Sequence, residues 1–233
     1  MVYAIQFSNK RVGSTFLQKA ISSHLDLVGI DEVFVNMCRK SKYRKSGFIP
    51  YVRPENQHKT PEKYIKHIKK THEGKGILMK LMYNQINFHG GLIQFIKDNE
   101  IPIIHLMRKN LVKQVISGKN AGTTKHNTIT ISPQELMRFT EEADNLNKWW
   151  ATQLKNNIKL TLYYEDIIGN TCNNKTYVSD RVNWDICNMF DVKETLLYAE
   201  TRKKNKEDLS VYLPNIEEIK KEFNSTKYKW MVE

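Results

Sequence analysis

The chain has 233 residues, a length that fits one domain or one domain with an appended lobe. An apolar fraction of 40% and an aromatic fraction of 10% exclude a disordered chain. The net charge of +12 is compatible with nucleic acid, an anionic membrane surface, an acidic glycan or a polyphosphate-type cofactor as partner, although solubility alone would also explain it.

The number of cysteines and the N-terminal sequence indicate the cellular compartment. Cys38, Cys172 and Cys187 are too few and too scattered for a disulfide framework or a zinc site, so we interpret them as reduced thiols. The opening VYAIQF is too short for the apolar region of a signal peptide, and no apolar run reaches membrane-spanning length. We therefore expect a cytoplasmic protein without a segment inserted in a membrane.

The predicted elements alternate along the chain. Short apolar runs predict buried parallel strands at residues 2–7, 77–82, 101–107 and 158–164. Helical periodicity is present at residues 15–27, 61–70, 86–97, 111–116, 133–150, 183–190 and 216–223. Alternating strands and helices predict an α/β fold, a single domain over residues 1–233 with a central, mainly parallel sheet flanked by helices. Ligands of such sheets bind at the carboxyl ends of the strands.

Two further expectations concern the surface and the core. The stretch 38–75 is basic, contains several Tyr and His, and is aperiodic until residue 61, so we interpret it as a surface insertion or lid and not as a second domain. The helical spacing of Trp149, Trp150 and Trp184 predicts that all three lie in the core.

The stretch S-N-K-R-V-G-S-T, residues 8–15, has the features of a phosphate-binding loop between a strand and a helix. A helix N-terminus offers free N–H groups and the positive end of the helix dipole. Gly13 allows close approach of the backbone, Ser14 and Thr15 add hydroxyl donors, and Lys10 and Arg11 supply positive charge. This pattern predicts an anion site.

The loop differs from that of nucleoside triphosphatases. Their G-x-x-x-x-G-K-[ST] motif is not met, because Ser8 replaces the first glycine and Ser14 replaces the lysine. The difference argues against a P-loop small-molecule kinase, which stays as an alternative. A second alternative is a non-enzymatic basic module that binds nucleic acid, for which Tyr43, Tyr51 and Tyr64 in the basic stretch provide aromatic side chains.

A second anion site is predicted beyond the third strand. Arg108 follows that strand directly, and Ser117 lies nine residues later on the next predicted helix. Together they could hold a second phosphate of the same ligand, which would then be a nucleotide phosphorylated at two positions. Taken alone, Arg108 could equally cap a helix or form a salt bridge.

These motifs resemble those of the sulfotransferases that use 3′-phosphoadenosine-5′-phosphosulfate (PAPS). The first signature of that family, K/R-x-G-[ST]-T between a strand and a helix, is matched by R-V-G-S-T at 11–15, and the second by Arg108 and Ser117. The nine-residue spacing, with Gln114 three residues before the serine, is similar to the bacterial trehalose-sulfotransferase-like branch. Weaker matches are G-I-D-E-V-F at 29–34, G-I-L-M-K-L-M at 76–82 and Y-Y-E-D at 163–166.

The resemblance implies a P-loop-like sulfotransferase fold and a set of site residues. It implies that the donor is bound by Lys10, Arg11, Val12, Gly13, Ser14, Thr15, Arg108, Ser117, Arg202, Lys203 and Lys204. In this set, residues 13–15 hold the 5′-phosphate, Arg108 and Ser117 the 3′-phosphate, and residues 202–204 belong to a basic loop that closes over the donor. The catalytic residues would be Arg11, which contacts the sulfuryl group, Glu32 as general base and Lys80, which orients the base or the acceptor.

The activity implied is transfer of a sulfuryl group from PAPS to a hydroxyl of a carbohydrate or glycoconjugate. No metal is required, because a sulfate ester carries less charge than a phosphate ester. Asp31 stands where the branch has a proline, so histidines stay open as alternative bases: His24, His72, His89 and His105. His105 lies inside a strand pattern, which favours a place in the core. The resemblance places the insertion or lid at 38–75 on the acceptor side. The identity of the acceptor and the oligomeric state are left open.

Overall fold

The structure is a computed structural model that describes residues 2–32, 61–88, 91–121, 128–200 and 208–233. Its helices and strands are β1 (Tyr3–Ser8), α1 (Ser14–Ile21), β2 (Leu27–Ile30), α2 (Pro61–Thr71), β3 (Gly76–Met82), α3 (Leu92–Asp98), β4 (Ile103–Met107), α4 (Leu111–Lys119), α5 (Pro133–Gln153), β5 (Ile158–Tyr163), α6 (Tyr164–Ile167), β6 (Ile168–Cys172), β7 (Lys175–Val178), α7 (Asp180–Phe190), β8 (Tyr198–Ala199) and α8 (Ile216–Phe223). Short 3-10 helices are Tyr83–Phe88, Leu209–Val211 and Lys229–Met231.

A five-stranded sheet in the order β2-β3-β1-β4-β5 forms the centre of the fold. Every neighbouring pair in it is parallel, with Ser8 of β1 beside Met82 of β3 and Leu106 of β4. This confirms the predicted α/β domain with a parallel sheet flanked by helices. The four predicted strands are β1, β3, β4 and β5. Within the described residues, no helix is both long and apolar enough to cross a membrane.

The two faces of the sheet have separate apolar cores because successive strand residues point to opposite faces. One face packs against α1 and α7 and includes Ala4, Leu17, Ile21, Leu78, Leu106, Ile186 and Phe190. The other packs against α2, α3 and α5 and includes Ile5, Phe7, Ile65, Ile68, Met79, Ile96 and Trp150. Burial on both faces explains why these strands are nearly continuous apolar runs.

Helix α2 occupies residues 61–71 of the stretch interpreted above as an insertion or lid. Its Ile65 and Ile68 are buried against the sheet, so this part of the stretch belongs to the core of the domain. Residues 38–60 lie outside the described residues, and for them an acceptor-side lid stays a prediction.

The helix predicted at residues 15–27 is wrong at its C-terminal end. α1 ends at Ile21, Leu25 is 86% exposed, and Leu27 begins the edge strand β2. β2 packs so closely on α1 that a Cβ on Gly29 would lie 2.4 Å from the carbonyl oxygen of Gln18. Periodicity alone missed this four-residue strand because it is too short to show a pattern.

Other boundaries also differ from the prediction. The helix predicted at 86–97 is a 3-10 helix followed by the separate helix α3. Trp150 is buried, but Trp149 and Trp184 are 52% and 56% exposed, which corrects their predicted place in the core. Adjacent helical residues point about 100° apart, so Trp149 cannot share the buried face of Trp150. The antiparallel sheet β6-β7-β8 was not predicted, because its strands are short and mostly polar.

Candidate active site

The loop between β1 and α1 has a strained backbone that fits an anion cradle. Arg11 and Gly13 have positive φ angles of 64° and 80°. A Cβ on Gly13 would lie 2.1 Å from the Tyr164 ring, so only glycine fits between the loop and that ring. No side chain of the described residues caps the N-terminus of α1, which leaves its first N–H groups available to an anion.

Helix α4 holds this loop through two of its side chains. Nε of Arg11 donates a hydrogen bond to Oγ of Ser117 at 3.0 Å. Nε2 of Gln114 donates to the backbone oxygen of Lys10 at 3.0 Å. The structure therefore brings together Arg11 and Ser117, which the sequence assigned to two separate anion sites. One anion placed here would contact both the loop and the helix.

Arg108 lies between the loop and the end of β5. Its Nε is 3.4 Å from Oε1 of Glu165, and Nη1 donates to the backbone oxygens of Arg11 and Lys113 at 3.4 Å each. The guanidinium carbon lies 5.2 Å from the centre of the Tyr164 ring. Burial lowers the pKa of the Arg108 guanidinium below its usual value. The Glu165 carboxylate acts in the opposite direction, but its effect is smaller than that of burial. A largely buried cation, 11% exposed, with hydrogen bonds as long as 3.4 Å is well suited to a stronger anionic partner.

Glu165 and Asp166 support the turn into α4. The Glu165 carboxylate accepts hydrogen bonds from the backbone N–H groups of Lys109 at 2.8 Å and Asn110 at 3.3 Å. Asp166 forms an ion pair with Lys109 at 2.5 Å. Asn110 in turn caps α4 by accepting from the N–H of Lys113 at 2.8 Å. These contacts fix where Arg108 leaves β4.

A solved structure with a similar fold is a sulfotransferase from Alicyclobacillus acidocaldarius. The two structures have a TM-score of 0.50 at 14% sequence identity, and the match covers 96% of this chain and 92% of that chain. The chain has a sulfotransferase-type fold. At this identity the likeness shows the fold alone and assigns no role to a residue. No protein-family model and no curated protein matches the sequence.

A second polar cluster of this sulfotransferase-type fold follows β2. Lys80 of β3 is 4% exposed, and its Nζ lies 2.7 Å from Oδ1 of Asp31 and 3.3 Å from Oε1 of Glu32. The other oxygen of Glu32 accepts a hydrogen bond from Nε2 of Gln85 at 3.1 Å. Gln85 is itself fixed, because its Oε1 accepts from the N–H of Met82 at 3.0 Å. The Glu32 carboxylate is therefore oriented at both oxygens and still 38% exposed.

The sheet places this cluster near the edge at which the loop begins, on the face that α1 covers. Lys80 is in register with Gln6 of β1, two residues before the last residue of that strand. Leu78, two residues before Lys80, packs on the α1 side of the sheet, so Lys80 points to that side too. The predicted catalytic residues Arg11, Glu32 and Lys80 thus lie at the carboxyl ends of three neighbouring strands.

Two of the histidines considered as alternative bases, His24 and His72, lie away from this edge. His24 lies before β2 and His72 before β3, both at the amino ends of the strands. Both ring nitrogens of His24 are hydrogen-bonded: Nε2 to the Lys193 carbonyl oxygen at 2.9 Å, and Nδ1 to the backbone N–H of Asp26 at 3.0 Å. His105 is fully buried, which confirms its expected place in the core. His89 lies outside the described residues, as do Arg202, Lys203 and Lys204.

Sequence reasoning missed two residues of the site. Gln85 lies between the predicted strand at 77–82 and the predicted helix at 86–97, and no sequence pattern links it to Glu32, whose carboxylate it binds. Tyr164 was recognised only as part of the Y-Y-E-D motif. Its ring also packs against Gly13, and this contact joins residues that are far apart in sequence. Within the described residues, no three His, Cys, Asp or Glu side chains come together in a way that could hold a metal ion.

Proposed function

We propose that the chain is a sulfotransferase that moves a sulfuryl group from PAPS to a hydroxyl of a carbohydrate or glycoconjugate. The observation that carries the proposal is the meeting of Arg11, Ser117 and Arg108 beside the glycine loop. Two guanidinium groups in one place suit a ligand with two separate anionic groups. A nucleotide phosphorylated at both the 5′ and the 3′ position is such a ligand.

The residues present fit this donor. The positive φ of Gly13 and the uncapped start of α1 form the cradle for a 5′-phosphate, with Ser14 and Thr15 as further donors. Arg108 and Ser117 would hold the 3′-phosphate, where charge-assisted hydrogen bonds replace the long contacts of Arg108. PAPS, when bound, supplies the activated sulfuryl group, and its 3′,5′-bisphosphate (PAP) is the leaving group.

The protein residues then have distinct tasks. Glu32 accepts the proton of the acceptor hydroxyl, and Lys80 and Gln85 hold that carboxylate in position. Arg11 stabilises the negative charge that grows on the bridging oxygen when the bond to sulfur breaks. Transfer of this kind depends mainly on alignment and charge stabilisation, which the fixed loop and the fixed carboxylate provide.

A thermal-shift panel tests the class of ligand. We expect PAP to raise the melting temperature, because it binds the folded chain at both anion sites. ATP with magnesium and a DNA oligonucleotide serve as probes for the kinase and nucleic-acid alternatives. Stabilisation by ATP–magnesium or DNA without stabilisation by PAP would overturn the proposal. Turnover with labelled PAPS and a panel of sugars and glycosides then identifies the acceptor.

A further inference from the structure

Two successive carboxylates reach the same buried lysine. Asp31 and Glu32 follow β2, and successive residues of an extended chain normally point to opposite sides. Glu32 instead has a left-handed backbone, with a φ of 35°, and its side chain joins that of Asp31 in contact with Lys80. Such a backbone is strained for a residue with a side chain and persists only where the surrounding contacts hold it. The turn therefore brings both carboxylates to one cation.

The two carboxylates contact Lys80 in different ways. Nζ of Lys80 lies 2.7 Å from Oδ1 of Asp31, but this oxygen accepts no aligned hydrogen bond from any described residue. To Oε1 of Glu32 the ammonium does donate a hydrogen bond, although the distance is longer, at 3.3 Å. Asp31 thus provides the closer negative charge, and Glu32 receives the oriented N–H group.

The charges of this cluster do not cancel. Lys80 is 4% exposed, and among the described residues it is the one cation that forms an ion pair with Asp31 or Glu32. Two neutral amides add no charge: Gln85, which binds Glu32, and Gln6, which is in register with Lys80. One positive and two negative groups give a net charge of −1. One carboxylate can therefore take up a proton while Lys80 keeps a counter-ion.

We infer that Asp31 is a positioning residue for sulfuryl transfer, whose carboxylate balances the charge of Lys80 while Glu32 takes the proton of the acceptor hydroxyl. This inference rests on the proposed function. The resemblance does not supply the role, because Asp31 stands where the branch has a proline. Asp31 acts through Lys80 and does not touch the reacting atoms.

The transfer step shows why the second carboxylate matters. The O–H bond of the acceptor breaks, its electron pair forms the bond to sulfur, and its proton binds Glu32. The bond between sulfur and the bridging oxygen breaks, and PAP leaves with that electron pair. Lys80 and Asp31 then remain as a neutral pair. Without the charge of Asp31, the same step would leave a buried ammonium without a counter-ion, which is strongly unfavourable.

A double-mutant cycle on the unfolding equilibrium tests the charge balance without any turnover. Glu32→Gln places a neutral group of similar shape at this position and so mimics the protonated carboxyl. We expect it to change stability little where Asp31 still balances Lys80, and much more in Asp31→Asn. In urea denaturation, the unfolding constant of the double variant should exceed the product of the two single effects at least about tenfold, because a buried charge has lost its last partner.

Two control backgrounds isolate the cause of this coupling. Asp26→Asn makes the same chemical change at an exposed position directly before β2, at the opposite end of that strand, and should combine additively with Glu32→Gln. Lys80→Met removes the cation and keeps an unbranched side chain. In that background the extra loss of the double variant should disappear. An extra loss that persists there would assign the coupling to a contact between positions 31 and 32 and overturn the inference.

Kinetics connect the charge balance to transfer. With labelled PAPS and the sugars and glycosides of the acceptor panel, Asp31→Asn should lower kcat about tenfold, a part of what a general base contributes. The Kd of PAP should stay unchanged, because Asp31 lies outside the anion loop. Asp31→Glu keeps the charge and should recover most of kcat. Equal losses of kcat in both variants would show that shape and not charge is needed at this position, which contradicts the inference.

The possible failures are distinguishable. Additive effects of Glu32→Gln and Asp31→Asn on unfolding, or a wild-type kcat in Asp31→Asn, would overturn the inference while PAP binding and sulfuryl transfer uphold the proposed function. Coupled effects in a protein that does not bind PAP would uphold the charge balance at Lys80 and contradict the proposed function.

Discussion

Nε of Arg11 and Oγ of Ser117 are 3.0 Å apart and joined by a hydrogen bond, although 106 positions separate the two residues in sequence. The contact connects the strained loop after β1 to the second turn of α4. It means that the two anion-binding motifs of the sequence form one surface. An anion that binds Ser117 must compete with, or share, the guanidinium of Arg11.

Removing the Ser117 hydroxyl should weaken binding of PAP. A hydrogen bond to a charged group contributes about 1.5–3 kcal/mol, so we expect Ser117→Ala to raise the Kd of PAP by about tenfold or more. Binding of adenosine 5′-phosphate, which lacks the 3′-phosphate, should change much less. Ser225→Ala is the matched control, because Ser225 is exposed after α8. Equal losses for both nucleotides would contradict the assignment of Ser117 to the 3′-phosphate.

Glu32→Gln should separate catalysis from donor binding. Loss of a general base lowers kcat by about 100-fold or more, while the Kd of PAP should stay unchanged because Glu32 lies outside the anion loop. Asp31→Asn keeps the Glu32 carboxylate and should cost much less turnover. Steady-state kinetics with labelled PAPS measure both variants. If Glu32→Gln turns over at the wild-type rate, the base is another group.

The sequence predicted the parts of the site that one stretch of chain determines by itself. The loop at residues 8–15 lies between β1 and α1 as expected, and that expectation needed only a local pattern. The contact of Gly13 with Tyr164 and that of Gln85 with Glu32 depend on strand order, which no local pattern contains. The edge strand β2 was missed for a different reason, because four residues are too few to show a period.

Gly13→Ala should destabilise the fold more than Gly74→Ala. Both glycines have a φ near 80°, at +80° and +84°, so both substitutions cost about 1–2 kcal/mol of backbone strain. Only at Gly13 does the new methyl group also meet a side chain, the Tyr164 ring at 2.1 Å, whereas nothing lies within 4 Å at Gly74. Chemical denaturation measures the difference. Equal losses of unfolding free energy would show that the loop does not rest on Tyr164.

His105 should make the fold less stable in mild acid. Burial lowers its pKa to about 4, whereas an unfolded chain titrates near its usual value of 6.5. Between these values the unfolded state binds the extra proton, so stability is complete above about pH 6.5 and falls as the pH falls towards 4. The slope is at most about 1.4 kcal/mol per pH unit for one proton.

Replacing this histidine tests the effect. His105→Asn should flatten the pH dependence of the unfolding free energy between pH 6.5 and 4, measured by urea denaturation. The hydroxyl of Tyr83 is hydrogen-bonded to Nε2 of His105 and also donates to Oδ1 of Asn147 at 3.1 Å. The second bond would remain in the variant, so we expect it to fold. A pH profile that runs parallel to that of the wild type would assign the acid sensitivity to other groups.

The most direct test of the account is calorimetric titration of the protein with PAP and with adenosine 5′-phosphate, for the wild type and Arg108→Gln. The account predicts that the wild type binds PAP at least about 100-fold more tightly, because the 3′-phosphate gains charge-assisted hydrogen bonds from Arg108 and Ser117. Arg108→Gln should remove most of that preference. Equal affinity of the wild type for the two nucleotides would contradict a site built for a nucleotide phosphorylated at two positions.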